Sequence, residues 1–293
     1  MSLNLPSHYV QQYATNIQLL LQQKGSKLRG AVMTGSHVGK QASPVDQIGA
    51  VEMIAPAGRF AAMGRVDAAV DRRWVFPNDY ELPQLIDSFD KLRLLTDPQS
   101  SYVQNAVYAA GRKMDSLIIA AINGTAKTGE AGSTSTTLPN AQKVAVGFGA
   151  SADVGLTVAK LREAKRLLMA ADIDLEQEQI YCAVKATQHD NLLAEAQVIS
   201  TDFNDKPVLV EGKITRFLGI NFIHTELLES SSGDVLVPMW VKSGVYLGIW
   251  NDIMTDISKR NDLSGLPWQA VVSMTAGATR LEEEKVVQIA CNV

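Results

Sequence analysis

Apolar residues recur at steps of three and four between Pro98 and Asn123, which predicts one long amphipathic helix. The residues of this stripe are Val103, Val107, Ala110, Met114, Leu117 and Ala121. Asp97 is a suitable N-cap, Pro98 fits the first helical turn, and Gly124 is expected to end the helix in the left-handed conformation. At about 1.5 Å per residue the helix would run ~39 Å, about twice the ~18 Å of an average helix. We therefore expect a rigid rod around which the fold is organised.

A shorter amphipathic pattern lies near the N-terminus, between Ser7 as a candidate cap and Gly25 as a stop. Its apolar face consists of Tyr9 or Val10, Tyr13, Ile17, Leu20 and Leu21. A helix with such a face must dock on another surface, because its apolar side chains would otherwise stay in water.

Short apolar runs separated by glycine and proline follow between residues 49 and 76, which predicts a long β-hairpin with a loose tip. Its strands are expected at residues 50–54 and 70–76. Residues 82–95 are expected to form a short helix that leads into the long one. Residues 125–137 are rich in Gly, Ser and Thr, and we expect a mobile loop there.

A second compact region begins near Lys143 and alternates strand and helix patterns. The predicted elements are a strand at 143–148, a helix at 157–171, a strand at 180–184, a short helix at 191–196 capped by Thr187 to Asp190, and strands at 213–223, 235–241, 244–250, 269–275 and 285–291. Strands followed by helices and then by strands indicate an α+β fold, and we expect antiparallel sheets.

Charge is distributed unevenly along the 293 residues, whose net charge is −4. The first 45 residues contain Lys24, Lys27, Arg29 and Lys40 and no acid, whereas the other 248 contain 23 basic and 31 acidic residues. A cationic arm therefore precedes an anionic body. Such an arm could lie on the acidic body of a neighbouring copy, touch nucleic acid, or remain a solvated terminus. The negative body argues against a large nucleic-acid-binding face.

Cys182 and Cys291 are too few for a disulfide framework and lie in apolar segments, which indicates two buried thiols in a reducing compartment. Apolar runs stay far below the ~18 residues that a membrane-spanning helix needs, and the first residues lack the pattern of a signal peptide. We therefore expect synthesis in the cytoplasm and no membrane contact.

The sharpest enzyme candidate is the segment Gly147-Phe148-Gly149-Ala150-Ser151-Ala152, which follows a predicted strand. This spacing of glycines is typical of dinucleotide-binding turns. The next predicted helix begins several residues too late, however, and Asp153 would place a negative charge beside the phosphates. A glycine-rich turn between domains is the better interpretation, although a nucleotide-dependent enzyme remains an alternative.

Other motifs predict no chemistry. Residues 35–40 resemble a phosphate-binding loop but are one residue short, and the four histidines show no zinc-binding spacing. We expect no catalytic residue, no cofactor and no metal.

Charges of both signs alternate along the predicted hairpin. These residues and the neighbouring tryptophan are Arg59, Arg65, Asp67, Asp71, Arg72, Arg73 and Trp74. Mixed charge suits an interface that matches a complementary pattern on another protein. It equally suits a solvated edge that uses charge to avoid aggregation. Our hypothesis is an intersubunit interface, to which Tyr13, Ile17, Lys24 and Arg29 of the arm would also contribute.

In this order of features the chain resembles the tailed-phage major capsid proteins of the Hong Kong ninety-seven fold. The resemblance covers nearly the whole chain. Its most specific segments are Arg72 to Pro77, Leu85 to Arg93, Asp97-Pro98 with Tyr102, Arg112 and Asp115, Phe217 to Ile223, and Gly277 to Val287.

The resemblance implies a division of the chain into five parts. Residues 1–46 would be the N-terminal arm, 47–82 the extended loop, 83–151 the peripheral domain with its spine helix, 152–264 the axial domain, and 265–293 the return strands of the peripheral domain.

The implied function is assembly of hexamers and pentamers into an icosahedral shell around double-stranded DNA. A separate scaffolding protein, a portal and possibly a cement protein would be partners, and DNA would be contacted only non-specifically. Residues 41–90 contain no lysine, so the covalent cross-link of the type member would be absent. An encapsulin-like cellular compartment is the alternative within this architecture.

Overall fold

The computed structural model describes residues 21–39, 43–55, 58, 62, 64–86, 99–174, 176–195, 214–231 and 233–292. Its first half contains β1 (Met33–Ser36), β2 (Ser43–Ile48), β3 (Val70–Val75), β4 (Asn78–Ile86), α1 (Gln99–Asn123), β5 (Ala126–Thr128), β6 (Thr134–Thr136) and β7 (Lys143–Val144). Its second half contains α2 (Val158–Ala170), β8 (Ile180–Val184), α3 (Ala186–Ala194), β9 (Arg216–Phe217), β10 (Ile220–His224), β11 (Ser230–Ser231), β12 (Asp234–Val241), β13 (Val245–Lys259), β14 (Trp268–Arg280) and β15 (Val286–Cys291). Among these helices, none is both long and apolar enough to cross a membrane.

The strands of the described residues form three sheets. One has the order β1-β13-β14-β4, a second has the order β2-β3-β5-β6, and the third has the order β7-β15-β12-β8-β10-β9, with β11 paired to β12. The expectation of antiparallel sheets is only partly correct, because β1 and β13, β7 and β15, and β8 and β10 pair in parallel. The predicted mixture of helices and strands is confirmed.

The long helix α1 extends over Gln99–Asn123 as predicted, while Asp97 and Pro98 lie outside the described residues. Helix α1 packs across β14, and the side chains that it buries include Met114, Ile118 and Ile122. Of the predicted apolar stripe only Met114 is buried, and the other five members are half-buried. The packed face is therefore turned from the predicted stripe towards Ile118 and Ile122.

The end of α1 differs from the prediction in its conformation. Gly124 does follow the last helical residue, but its φ angle is not positive, so the predicted left-handed cap is wrong. The Gly124 N–H donates to the Ala120 carbonyl at 2.8 Å. A Cβ at this position would lie 2.6 Å from that same carbonyl oxygen, so close packing explains the glycine.

The predicted hairpin exists with a shifted first strand. Strand β2 pairs antiparallel with β3 from Ser43↔Val75 to Ile48↔Val70, and the predicted strand at 50–54 is absent. The predicted helix at 82–95 is wrong for residues 82–86, which continue β4 beside β14; residues 87–95 lie outside the described part. Residues 82–86 form a strand because β14 supplies hydrogen-bond partners for their backbone, which the local sequence alone does not indicate.

Residues 125–137 form an ordered hairpin, not the mobile loop that their composition predicts. Strands β5 and β6 pair with each other, and β5 extends the sheet at β3. Trp74 holds this hairpin, because its indole N–H donates to the Gly129 carbonyl at 2.7 Å and its ring lies about 3 Å from where a Gly132 Cβ would be. Trp74, which is distant in sequence, thus supplies the apolar contact that residues 125–137 cannot provide for themselves.

The region around the third sheet follows the prediction closely in α2 and β8. The hydroxyl of Thr157 accepts from the Lys160 N–H at 3.3 Å and caps α2, whose Leu161 and Leu168 are fully buried. Helix α3 begins at Ala186 instead of residue 191, so the predicted capping box at Thr187 to Asp190 is wrong.

Several predicted strand segments have different bounds. Strand β13 continues to Lys259 beyond the predicted 244–250, and β14 continues to Arg280 beyond the predicted 269–275. The strand at 143–148 ends at Val144, and the segment 213–223 is divided into β9 and β10 by a tight turn at Leu218 and Gly219, both with positive φ. The strands predicted at 269–275 and 285–291 lie in two different sheets: β14 pairs with β4 and β13, whereas β15 lies between β7 and β12.

Both cysteine side chains are fully buried and free, as predicted. Burial raises the pKa of the Cys182 thiol and raises that of Cys291 to about 12, so neither forms a reactive thiolate at neutral pH.

We therefore expect a thiol reagent at pH 8 to label neither cysteine in the folded protein. Two equivalents should react at once after addition of denaturant, because unfolding restores both access and the ordinary pKa. Absorbance of a released chromophore measures this directly. Rapid labelling without denaturant would contradict the buried position of these thiols.

Candidate interaction surface

Arg73 lies at the base of the β2–β3 hairpin and points into the protein. Its side chain is 7% exposed, and its Nη2 donates to Glu283 Oε2 at 2.7 Å, with Asp71 Oδ2 at 3.5 Å. The sequence hypothesis treats Arg72 and Arg73 alike as exposed residues of an intersubunit interface. For Arg73 the exposure is wrong, because its side chain is buried within one copy; the interface itself stays a prediction.

Arg280, at the end of β14, is fully buried and reaches the C-terminal end of α1. Its Nη1 donates to the carbonyls of Ile122 at 2.8 Å and Gly124 at 2.9 Å, and its Nη2 donates to that of Thr136 at 3.2 Å. A cation is favourable there, because the last carbonyls of a helix lack partners and carry partial negative charge. Burial lowers the pKa of Arg280.

Glu283 joins these two arginines. One of its carboxylate oxygens accepts from Arg73, and the other lies 3.6 Å from Arg280 Nε. The base of the hairpin, the end of α1 and the turn between β14 and β15 therefore meet at the half-buried carboxylate of Glu283.

Beyond this base, the loop between β2 and β3 projects charged and apolar side chains into solvent. Arg72 pairs with Asp46 across the two strands and lies over the Trp74 ring, and Arg65 pairs with Asp67 at 2.7 Å. Arg59 lies outside the described residues. Among the described residues of the hairpin, six large apolar side chains are exposed: Ile48, Val51, Met53, Ile54, Val66 and Val70. A run of exposed apolar side chains rimmed by charge is typical of a surface that another molecule covers.

The segment after residue 20 is fixed to the middle of α1 by Asp115, which is fully buried. One oxygen of its carboxylate accepts from Gln23 Nε2 and the Lys27 N–H, and the other from Ser26 Oγ and the Leu28 N–H, at 2.5–3.1 Å. The carboxylate thus satisfies four donors of this segment.

Two neighbours of Asp115 support the same contact. Arg112 Nη1 donates to Gln22 Oε1 at 2.7 Å and to the Gln23 carbonyl at 3.2 Å. A Cβ on Gly111 would lie 2.5 Å from the backbone of Gly25, so only glycine allows this approach. Helix α1 therefore carries a clamp for the N-terminal segment.

The four arm residues of the sequence hypothesis have different positions. Lys24 is exposed, and Arg29 pairs with Asp252 of β13 at 2.8 Å. The hydrogen bond from Arg29 lowers the pKa of Asp252. Tyr13 and Ile17 lie outside the described residues, so their predicted docking remains a prediction.

Comparison with known families decides the identity of this architecture. The family of the Phage capsid protein matches residues 5–293. The chain belongs to this family.

Solved capsid structures share the fold of this capsid protein across almost their whole length. The capsid of cyanophage P-SCSP1u matches with a TM-score of 0.74 at 16% identity, covering 98% of this chain and 94% of that one. The capsid of Ralstonia phage GP4 matches with 0.74 at 10% identity over 100% and 98%, and that of cyanophage Pam1 with 0.71 at 11% over 100% and 99%. No curated protein sequence matches significantly.

These findings confirm the predicted Hong Kong ninety-seven-type fold and a major capsid protein that forms the shell of a virion. They give no support to the encapsulin-like compartment or to the nucleotide-dependent enzyme. The division into arm, extended loop, peripheral and axial domains stays a prediction.

The glycine turn of the enzyme alternative has a structural explanation in this capsid protein. Gly149 has a positive φ, and α2 begins only at Val158. The fully buried Lys160 donates from Nζ to the carbonyls of Val154 at 2.7 Å and Ala290 at 2.9 Å, so it joins the turn to β15. Burial lowers the pKa of Lys160. Within the described ranges, no group of three His, Cys, Asp or Glu side chains is arranged to bind a metal.

Sequence reasoning assigned no role to Asp115, Arg280 or Glu283. The available signal for Asp115 was an acid within a helix that is otherwise apolar on that side. For Arg280 and Glu283 the local sequence could not show these roles, because their partners beyond each other come from three separate segments.

Replacing Asp115 with Asn should lower the free energy of unfolding by about 3 kcal/mol, because one of the two accepting oxygens becomes an NH2 group, which faces two of the four buried donors without accepting from them. Urea unfolding followed by circular dichroism measures the change. The control Asp79→Asn alters an exposed carboxylate that accepts from Thr275 Oγ1 at 2.6 Å, and we expect a loss of at most about 1 kcal/mol. Equal losses in the two variants would contradict the clamp.

Proposed function

We propose that this capsid protein assembles as hexamers and pentamers into an icosahedral shell that encloses viral double-stranded DNA. The observation that supports this most strongly is the projecting hairpin, whose exposed Val51, Met53 and Ile54 have no cover within the described part of the chain. A second copy that covered them would remove apolar surface from water, at about 25 cal/mol per Å².

The buried base of the hairpin suits this role. Because Arg73 and Glu283 are paired inside the protein, the loop starts from a fixed position, and little conformational entropy at its root is lost on association. Many such contacts of moderate strength, repeated by symmetry, would make the shell stable through multivalency.

We further propose that the protein is structural and not catalytic, and that it is made in the host cytoplasm. A separate scaffolding protein, a portal and possibly a cement protein would act with it, and the packaged DNA would be contacted non-specifically. The acidic overall balance, −4 for the chain, is consistent with weak affinity for DNA phosphates.

Electron microscopy of the purified protein tests the proposal. Wild-type protein should form shells of tens of nanometres or hexameric and pentameric rings. Uniformly small, single subunits at concentrations of tens of micromolar would contradict it.

Reversing the charge of Arg65 at the hairpin should reduce shell formation without unfolding the subunit. Arg65 is 85% exposed and, among the described residues, its ion pair is with Asp67 two residues away, so Arg65→Glu disturbs little within one copy. At an interface, however, a like charge costs several kcal/mol and the defect recurs in every copy. Sedimentation velocity beside circular dichroism checks both points.

The control Arg65→Lys keeps the charge and should assemble as the wild type does. If Arg65→Glu also yields normal shells, the loop charges are merely a solvated edge.

Cohesion of the shell should be entirely non-covalent. Residues 41–90 contain no lysine for a cross-link from the hairpin, and both cysteines are buried. Boiled, reduced particles should therefore migrate at the 31.7 kDa of one chain in denaturing gels. A ladder of multimers that resists reductant would show that this expectation is wrong.

A further inference from the structure

An open groove of about 450 Å³ lies on the exposed side of α2, where the helix meets the turn between β9 and β10. Apolar side chains line part of it: Met169 is 58% exposed, and Ala170 and Leu218 lie beside it. The other residues that line the groove are three cations, Arg162, Lys165 and Arg166. Exposed apolar surface bordered by charge is typical of a surface that another molecule covers.

The turn between β9 and β10 holds Leu218 at this groove. Leu218 and Gly219 both have positive φ, a conformation in which leucine is unusual. The Lys165 Nζ donates to the Leu218 carbonyl at 2.9 Å and so joins the turn to α2. Part of the Leu218 side chain packs against the core, and the rest lines the groove. The groove is therefore formed by two elements that are fixed to each other within one copy.

One of the three cations is available to a partner. Arg166 pairs with Glu163 at 2.6 Å, and Lys165 is engaged by the turn. Arg162 is exposed and forms no ion pair with any described residue; Glu195, which shares a smaller adjoining cavity with it, does not reach it. We therefore expect an occupant that supplies one carboxylate and several aliphatic side chains.

Residues 51–54 of the hairpin, Val-Glu-Met-Ile, have this composition. All four side chains are exposed, and Glu52 forms no ion pair within the described part of the chain. Four extended residues span about 13 Å. The stretch of α2 from Arg162 to Ala170 spans about the same length. The segment and the groove therefore match in length, charge and polarity.

A second exposed apolar surface fits this segment less well. It lies on the first sheet, where the strand register places Leu85 and Met254 on one face. The same face carries Glu81 and Asp256, which are both exposed. These acids would repel Glu52, whereas Arg162 attracts it.

We infer that residues 51–54 of one copy bind the α2 groove of a second copy. Glu52 pairs with Arg162, and the aliphatic side chains beside Glu52 cover Met169 and Leu218. The inference rests on the proposed shell function and names the surface that receives the hairpin.

Cross-linking of engineered cysteines tests the contact. Both native cysteines are buried, so a short bifunctional maleimide reacts selectively with new exposed thiols. Particles of Met53→Cys/Met169→Cys should give a ladder of covalent multimers in denaturing gels, because only a link between copies joins two chains. The matched control Met53→Cys/Met254→Cys uses an equally exposed methionine, at 58%, and should give single chains, as should each single variant.

The gels also identify a wrong assignment. Single chains from the Met53→Cys/Met169→Cys particles would overturn the inference. It would equally be overturned if the control pair or a single variant were linked as efficiently as the Met169 pair; linkage of the control pair would assign the hairpin to the face of the first sheet.

Exchange of the two charges tests the ion pair itself. Arg162→Glu and Glu52→Arg should each lower the yield of particles by at least about tenfold, since each places like charges at the contact. The combined variant restores opposite charges and should recover most of the yield. Arg162→Lys keeps the charge and should assemble as the wild type does. Both positions are exposed, so the melting temperature of the unassembled subunit should stay close to that of the wild type in every variant.

A combined variant that assembles no better than the single ones would show that Glu52 and Arg162 do not pair. That result, obtained while wild-type particles form, would overturn this inference and leave the proposed function intact. Failure of the wild type to form particles would contradict the proposed function, and with it this inference.

Discussion

The burial of the Arg280 guanidinium is the constraint on which the rest of the fold depends. A charge taken out of water is costly unless it is compensated, and here Nη1 and Nη2 donate to the carbonyls at the end of α1 and to the Thr136 carbonyl, while the Glu283 carboxylate lies 3.6 Å from Nε. Arg280 is also the last residue of β14, the strand on which α1 packs. One side chain therefore sets where the helix ends, and through Glu283 it also positions Arg73 and the root of the hairpin.

The elements that the sequence predicts well are those decided by local periodicity. Helix α1 was found because its pattern repeats over many turns, and α2 because Thr157 supplies a clear cap. Partners distant in sequence decided the rest. Residues 82–86 follow β14 and not their own helical tendency, and residues 125–137 are ordered by Trp74, more than fifty residues earlier. Whether two strands pair in parallel or antiparallel likewise depends on which strands become neighbours. The local sequence pattern does not encode this.

In the candidate interaction surface, too, the sequence indicates residues locally but not their distant partners. The sequence singled out Arg72, Arg73 and Trp74, but nothing in it separates an arginine that pairs across the hairpin surface from one that turns inward to a carboxylate 210 positions later. Asp115 was hidden for the same reason, since its four donors belong to a segment nearly ninety residues away. Family resemblance located these residues, and only the structure gave them roles.

The two kinds of ion pair in the hairpin respond differently to salt. The pairs at Arg65 and Arg72 are exposed to solvent, where ions at about 0.15 M screen charges over ~8 Å, whereas the Arg73–Glu283 pair is enclosed by protein and is screened much less. Ionic strength can therefore loosen or tighten the contacts that the loop makes along its length while the direction in which it leaves the body stays constant. The strength of the loop's contacts therefore depends on salt concentration, whereas the orientation of the loop relative to the rest of the protein does not.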